Sequence, residues 1–265
     1  MKISLRLFSA LSLSLLTLSM ARAQSPETEP PISPERPGFT NGTDTVSPKK
    51  IQFETGYQYT RDGKTSKHEI DNSNNSQLRF GITPNFEFRL GAPAYEWISG
   101  GGAPNTSGLA DSSLSVKWRF LEGKQAKKPS LAVIAGTTLP TGSKAFGENH
   151  LQPQVALESH FDFSDKYTLE ANLVYTDARS NGERFDQYAG GLNLGYNLSQ
   201  TTGLFVETYR VSPTDFGSVS GSYVDGGVTY LVGKDTQFDI NAGTGITKGV
   251  RSGFFVGAGI AHRFK

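Results

Sequence analysis

Ile51-Gln-Phe53-Glu-Thr55-Gly-Tyr57-Gln-Tyr59 alternates mostly apolar or aromatic residues with polar or tiny ones at a period of two. That is the pattern of a strand with one dry and one wet face, whereas an amphipathic helix repeats its apolar positions every three to four residues. The alternation returns at Leu78/Phe80/Ile82, Phe86/Phe88/Leu90, Leu114/Val116/Trp118/Phe120, Tyr167/Leu169/Ala171/Leu173/Tyr175 and Phe254/Val256/Ala258/Ile260. Two segments are less regular. Ser130–Thr138 is apolar on both parities, and Gly203–Val211 carries Phe205 and Tyr209 on the parity of Glu207. The pattern predicts about twelve strands, at 51–60, 76–82, 86–97, 112–121, 130–138, 151–161, 167–176, 187–198, 203–211, 223–231, 237–246 and 253–264.

The connections alternate in length. Odd-numbered links are mostly long and rich in Gly, Ser, Asn and Asp, such as Ser99–Asp111. Even-numbered ones are mostly tight, as at Thr83–Asn85, Asp162–Lys166, Ser199–Thr202 and Val232–Thr236. A two-sheet periplasmic β protein would also alternate, but it has no reason to gather its long loops at one end. A bacterial outer-membrane barrel does gather them, with short periplasmic turns and long outer loops. The fold class read from the chain is therefore all-β: an antiparallel up-and-down transmembrane β-barrel of about twelve strands behind a short Pro-rich N-terminal arm. Lipid tolerates no open sheet edge, so the sheet must close, with its apolar parity outward and its polar parity inward. This reconciles a negative mean hydropathy with 11% aromatic residues. Tyrosines and tryptophans near strand ends, among them Tyr57, Trp97, Trp118, Tyr175, Tyr188, Tyr223 and Tyr230, suit interfacial girdles.

The chain divides into a signal peptide (1–23), an arm (24–49) and the barrel (50–265). Lys2 and Arg6 precede a short apolar core, and Ala21-Arg22-Ala23 fits the small-x-small cleavage rule. Pro26, Pro30, Pro31, Pro34, Pro37 and Pro48 punctuate the polar arm, which is poorly suited to helix or ladder. Cysteine is absent and the formal charge is only +1, which excludes thiolate chemistry and gives no footprint for nucleic acid. Export implies the bacterial outer membrane as the destination.

Glu35-Arg-Pro-Gly-Phe-Thr-Asn-Gly-Thr-Asp-Thr-Val-Ser-Pro48, running into Ile51-Gln-Phe-Glu-Thr-Gly-Tyr57, resembles the opening of the MetA-pathway phenol-degradation family of outer-membrane proteins. Arg36-Pro37, Thr45-Val46-Ser47-Pro48 and Gln52-Phe53-Glu54-Thr55-Gly56 carry the likeness. Ala110-Asp111-Ser112-Ser113-Leu114-Ser115-Val116-Lys117-Trp118-Arg119 resembles a later strand, and Leu139-Pro140-Thr141-Gly142 a turn. The resemblance implies a transporter-like barrel for small, aromatic or hydrophobic molecules, and it brings no residue roles. The last strand, Gly259-Ile-Ala-His262-Arg-Phe264, is similar to the C-terminal signal read by the barrel-assembly machinery, although this chain runs on to Lys265.

If the apolar parity faces lipid, the other parity lines the lumen. Arg79, Arg89, Lys117 and Arg119 then point inward with Glu87, and Glu158, Glu170, Asp225 and Asp239 point inward from later strands. Arg263 closes the ring beside Glu54. Glu207 joins them only if Leu204 and Val206 take the lipid face. Pairing Phe161 with Tyr167 would set Glu158 opposite Glu170. Two arrangements fit this set: a basic wall facing an acidic wall across an open lumen, or salt bridges that fill a narrow barrel. Inward glycines, including Gly56, Gly81, Gly191 and Gly259, either clear a path for solute or relieve crowding where the barrel curves. The arm either folds into the lumen as a plug, with Arg36 and Asp44 meeting the charged walls, or hangs in the periplasm.

Catalytic readings find little. Ser159 and His160 are neighbours in a strand and so point to opposite faces. His68, His150 and His262 lie on two loops and the last strand, no HExxH spacing occurs, and no metal or cofactor is implied. Gly136–Lys144 resembles a phosphate loop but has the wrong spacing and no following helix. The leading expectation is a monomeric channel for small-molecule solutes, surrounded by outer-membrane lipid and lipopolysaccharide. The alternatives are a non-conducting barrel whose long loops bind a surface partner, and an outer-membrane hydrolase.

Overall fold

The computed structural model describes residues 29–63, 67–71, 76–123, 128–180, 182–216, 218–248, 250 and 253–265, so the signal segment and the first residues of the arm lie outside the described residues. Within them run fifteen strands: β1 (Ile51–Arg61), β2 (Lys67–Asp71), β3 (Gln77–Thr83), β4 (Phe86–Gly91), β5 (Tyr95–Gly100), β6 (Thr106–Leu109), β7 (Ser112–Leu121), β8 (Ser130–Leu139), β9 (Gln152–Asp162), β10 (Tyr167–Ser180), β11 (Glu183–Asn197), β12 (Thr202–Val211), β13 (Gly221–Val232), β14 (Thr236–Gly245) and β15 (Phe254–Phe264). All belong to one sheet, and β15 pairs with β1 along its whole length to close it. Twelve strands make up the closed antiparallel barrel. The other three extend its long-loop rim. β2 pairs with the upper end of β1, β5 with β2, and β6 with β5. The segments 61–75 and 99–111, expected to be loops, thus carry β2, the end of β5 and β6. A ladder above the apolar belt needs no hydrophobic face, so alternation does not announce it.

The barrel is polar inside and apolar outside. The largest fully buried side chains among the described residues are Arg79, Lys117, Gln52, Glu54, Glu87, Glu158 and Glu207. Trp118, Leu157, Leu173, Leu192, Val206, Ile240 and Val256 are exposed on the outer wall. Such a distribution would be prohibitive in water and is what hydrocarbon surroundings require.

The structure decides one detail of the wall that the sequence left open and changes two others. In β12, Leu204 and Val206 are exposed and Glu207 is buried, so Phe205 and Tyr209 share the inner face with it. Tyr223, expected at the girdle, also turns inward and stacks on Tyr209 with ring centroids 4.9 Å apart. Between β9 and β10 the pairing is Phe161 with Leu169, so Glu158 faces Asn172 and Glu170 faces His160. The turn is wider than expected, closed by the Phe163 amide donating to the Tyr167 carbonyl at 2.9 Å. A slip of two residues keeps every side chain on its face but changes every partner.

Candidate functional site

The described part of the arm, 29–49, runs around the inside of the barrel. It begins at the β13–β14 turn, where the Ile32 amide donates to the Lys234 carbonyl at 2.7 Å. It then visits β15 and β1, crosses to β12, passes β10, β7 and β4, and returns to the foot of β1. Its backbone meets the wall charges directly. The Glu35 amide donates to Glu54 at 3.0 Å, the Phe39 and Thr40 amides to the two oxygens of Glu207 at 2.7 and 2.5 Å, and the Val46 amide to Glu87 at 2.7 Å. In the other direction, Arg79 donates to the Ser33 and Asp44 carbonyls at 3.0 and 2.9 Å, and Lys117 to the Gly42 carbonyl at 2.5 Å. A proline-rich segment that cannot form its own ladder thus satisfies its polar backbone on ionised side chains, which make the stronger class of hydrogen bond.

Arg79 is the hub. Its Nε lies 2.8 Å from Glu87 and its Nη1 2.9 Å from Glu54. Glu35 joins from the arm, paired with Arg89, 2.7 Å from Lys117 and 3.7 Å from Arg79. Lys117 also lies 2.7 Å from Glu158. Basic and acidic residues here interleave between neighbouring strands and the arm rather than facing each other across an open lumen. Glu35 carries much of this network, and its place beside Arg36-Pro37 is the signal that could have marked it.

The remaining inward residues form separate groups. Arg36 reaches Asp239 at 3.3 Å. Asp225 faces Glu207 across β12 and β13 and accepts from Asn241 at 3.4 Å. Glu170 lies 3.0 Å from the His160 Nδ1, whose other nitrogen meets Asp162 at the same distance. Arg119 sits at the turn end with Asp44 at 2.9 Å. Arg263 pairs with Gln52 in the closing ladder, and its guanidinium engages Asp235 at 2.8 Å, the Pro30 carbonyl at 2.9 Å and Glu29 at 3.7 Å. It therefore meets the β13–β14 turn and the arm rather than Glu54. Gly259 faces Gly56 across the same ladder. His262 contacts Thr236 at 2.8 Å, and its ring meets Phe264 edge-on at 4.7 Å.

Several inward glycines have a role beyond either sequence reading. A methyl group on Gly56 or Gly259 would overlap the Arg36 guanidinium, on Gly81 the carbonyls of Val46 and Ser47, and on Gly191 the side chains of Phe39 and Thr40. They make room for the arm.

Above the arm, toward the long loops, lies a cavity of about 560 Å³. Glu35, Pro37, Phe39 and Asn41 form its floor, and its wall includes Asn172, Gln187, Tyr209, Asn241 and Phe255. Phe39 stacks on Tyr209 with centroids 4.8 Å apart, beginning a column of three rings that ends at Tyr223. Tyr209 stood out in the sequence only as an irregularity of the alternation; Phe255 escaped because an apolar side chain on the inner parity looks like another, and Phe39 because the arm has no parity to read.

Ser159 lies on the outer parity and His160 on the inner. Among the described residues no group of three His, Cys, Asp or Glu side chains could hold a metal ion.

The family model described as "Putative MetA-pathway of phenol degradation" matches residues 35–264. The chain belongs to this family. The fold of this MetA-pathway family member is similar to that of a crystallised outer membrane channel from Pseudomonas putida F1, with a TM-score of 0.65 at 13% identity over 86% of this chain and 99% of that one. It is also similar to the translocator domain of the autotransporter NalP from Neisseria meningitidis, with a TM-score of 0.52 at 12% identity over 83% and 90% of the two chains. No curated protein matches the sequence. The fold is that of a bacterial outer-membrane β-barrel.

In this family member two of the resembling motifs meet at the rim. Asp111 accepts from the amides of Thr141 and Gly142 through one oxygen, at 3.0 and 2.7 Å, and from the Glu148 amide through the other, at 3.0 Å. The Leu139–Gly142 turn is thus fastened to the start of β7 by one half-buried carboxylate beside the vestibule.

Proposed function

We propose that the protein is an outer-membrane channel for passive or facilitated passage of small molecules, with the arm as the constriction of its lumen. The vestibule above the arm carries this reading. At about 560 Å³ it falls within the size range of small-molecule sites. Its wall combines flat rings, Tyr209 and Phe255, with the amides of Asn172, Gln187 and Asn241. Rings bury apolar or aromatic solutes, and the amides supply polar contacts that fix orientation. The arm beneath is held largely by hydrogen bonds and ion pairs, which water can replace when a solute displaces it. The fold it shares with the Pseudomonas channel agrees with this reading.

Single-channel conductance of the refolded mature protein, intact and lacking residues 24–49, tests it. Discrete steps in the intact protein support a resting pore, and steps only after truncation support an arm that closes it. Silence from both, with folding verified by heat-shifted gel mobility, overturns the channel reading in favour of a barrel that acts through its loops.

A further inference from the structure

Arg210 points out of the barrel. It shares the outward parity of β12 with the exposed Leu204 and Val206. Its cross-strand neighbours are Gly190 and Ser222, and among the described residues its polar contact is the Ser222 hydroxyl at 2.9 Å. Two positions along β11 from Gly190 stands Tyr188, 57% exposed, its ring 5.5 Å from that of Tyr175. These tyrosines mark the upper girdle, and the ladder sets Arg210 one outward row to its membrane side. The charges beyond the girdle have partners on the protein: Arg184 pairs with Asp177, and Asp186 accepts from Tyr175 at 2.9 Å. Arg210 has no such carboxylate in contact among the described residues.

A cation on the lipid face is unfavourable, strongly so at the midplane and only slightly near the interface. An anionic headgroup at that depth turns the cost into an attraction. Beside Arg210 the wall is hollow. Ala171, Gly190 and Thr208 are small and lie among Leu157, Leu173 and Leu192, leaving an apolar groove of about 570 Å³ that Arg210 also lines. A cation at the girdle next to an apolar groove matches a phosphate carried on acyl chains.

We propose that this face binds a lipopolysaccharide molecule, with a lipid A phosphate on Arg210 and an acyl chain in the groove over Gly190. The commitment to lipopolysaccharide follows from where the site lies. Arg210 is near the end of β12 that leads into the long link 212–220, which the orientation of an outer-membrane barrel turns toward the outer leaflet. The proposal rests on that orientation and not on conductance.

The test is native mass spectrometry of the full-length protein extracted from outer membranes in mild detergent. The natural chain is expected to retain one lipopolysaccharide. Arg210→Gln is expected to lower its occupancy about fivefold or more, the worth of one cation near an anionic surface. Gly190→Leu fills the groove without changing charge and is expected to do the same. Arg184→Gln, whose cation is already paired, should retain the lipid. Folding of each variant is checked by heat-shifted mobility, and unchanged conductance in Arg210→Gln separates this site from the channel. Undiminished lipopolysaccharide on Arg210→Gln, or phospholipid in its place on the natural chain, overturns the proposal, as does a natural chain that retains neither.

Discussion

Arg36 and Asp239 form an ion pair at 3.3 Å, with their side chains only 1% and 0% exposed. Arg36 belongs to the arm and Asp239 to the wall. The guanidinium reaches the carboxylate through the notch left by Gly56 and Gly259, which face each other across the seam where the barrel closes. One arm residue therefore touches β1, β14 and β15 at once.

Gly259→Ala should unseat it. The atoms nearest the added methyl belong to the flexible end of Arg36, so the wall can fold while the guanidinium is expelled. Breaking a buried pair and stranding one charge costs about 3–5 kcal/mol. The natural chain has no cysteine, so a single cysteine placed at Thr40 reports arm release. Its labelling rate should rise at least about a hundredfold in Gly259→Ala. An unchanged rate would show that the pair does not hold the arm.

Glu207 captures the Phe39 and Thr40 amides with its two oxygens. Glu207→Gln turns one acceptor into a donor facing a donor. With charge-assisted bonds worth about 1.5–3 kcal/mol each, the variant should expose the middle of the arm and raise open-channel current. Conductance traces identical to those of the natural chain would sink this prediction.

Asp111→Ala removes the acceptor of three rim amides. Thr141, Gly142 and Glu148 should then exchange their amide hydrogens about ten- to a hundredfold faster, given about 1–3 kcal/mol of lost bonding, while exchange within β8 stays the same. Mass-resolved hydrogen exchange over 139–150 makes the comparison. Uniform protection would mean that the turn holds its shape without Asp111.

Acid should release the turn-end contact of the arm. Desolvation opposes ionisation of Glu29, but Arg263, the Ser47 hydroxyl, Lys50 and Lys234 outweigh it and hold its carboxyl below the usual range. At Asp235 desolvation is likewise outweighed, here by the Arg263 hydrogen bond and charge, with Lys234 and Lys265 assisting. Both groups have a lower pKa folded than unfolded. Their stabilisation is complete above the unfolded value of about 4 and disappears as pH falls through the folded one. A spin label on a cysteine at Pro30 should be immobile at neutral pH and become mobile only below about pH 4. Mobility unchanged down to pH 2 would refute the contact.

Much of the wall was legible because a strand's side-chain period is two and lipid makes that period visible. Leu157, Leu173 and Val256 on one parity, and Glu158, Lys117 and Arg79 on the other, could be assigned to faces without coordinates. Partners could not. Glu158 meets Asn172 rather than Glu170 because a two-residue slip in the β9–β10 turn leaves the alternation untouched. Arg263 meets Asp235 and Glu29 rather than Glu54 because its long side chain reaches the neighbouring turn and the arm.

By itself the sequence determined that the chain is a closed barrel, where most of its strands run and which way most of the wall charges turn, since each follows from local alternation and the intolerance of lipid for open edges. Only the tertiary structure decided the path of the arm, the Arg36–Asp239 pair, the capture of Phe39 and Thr40 by Glu207, and the ring column through Tyr209. A proline-rich segment carries no periodicity of its own. Its course is set by polar groups from 19 to 233 residues away that converge only once the barrel has closed.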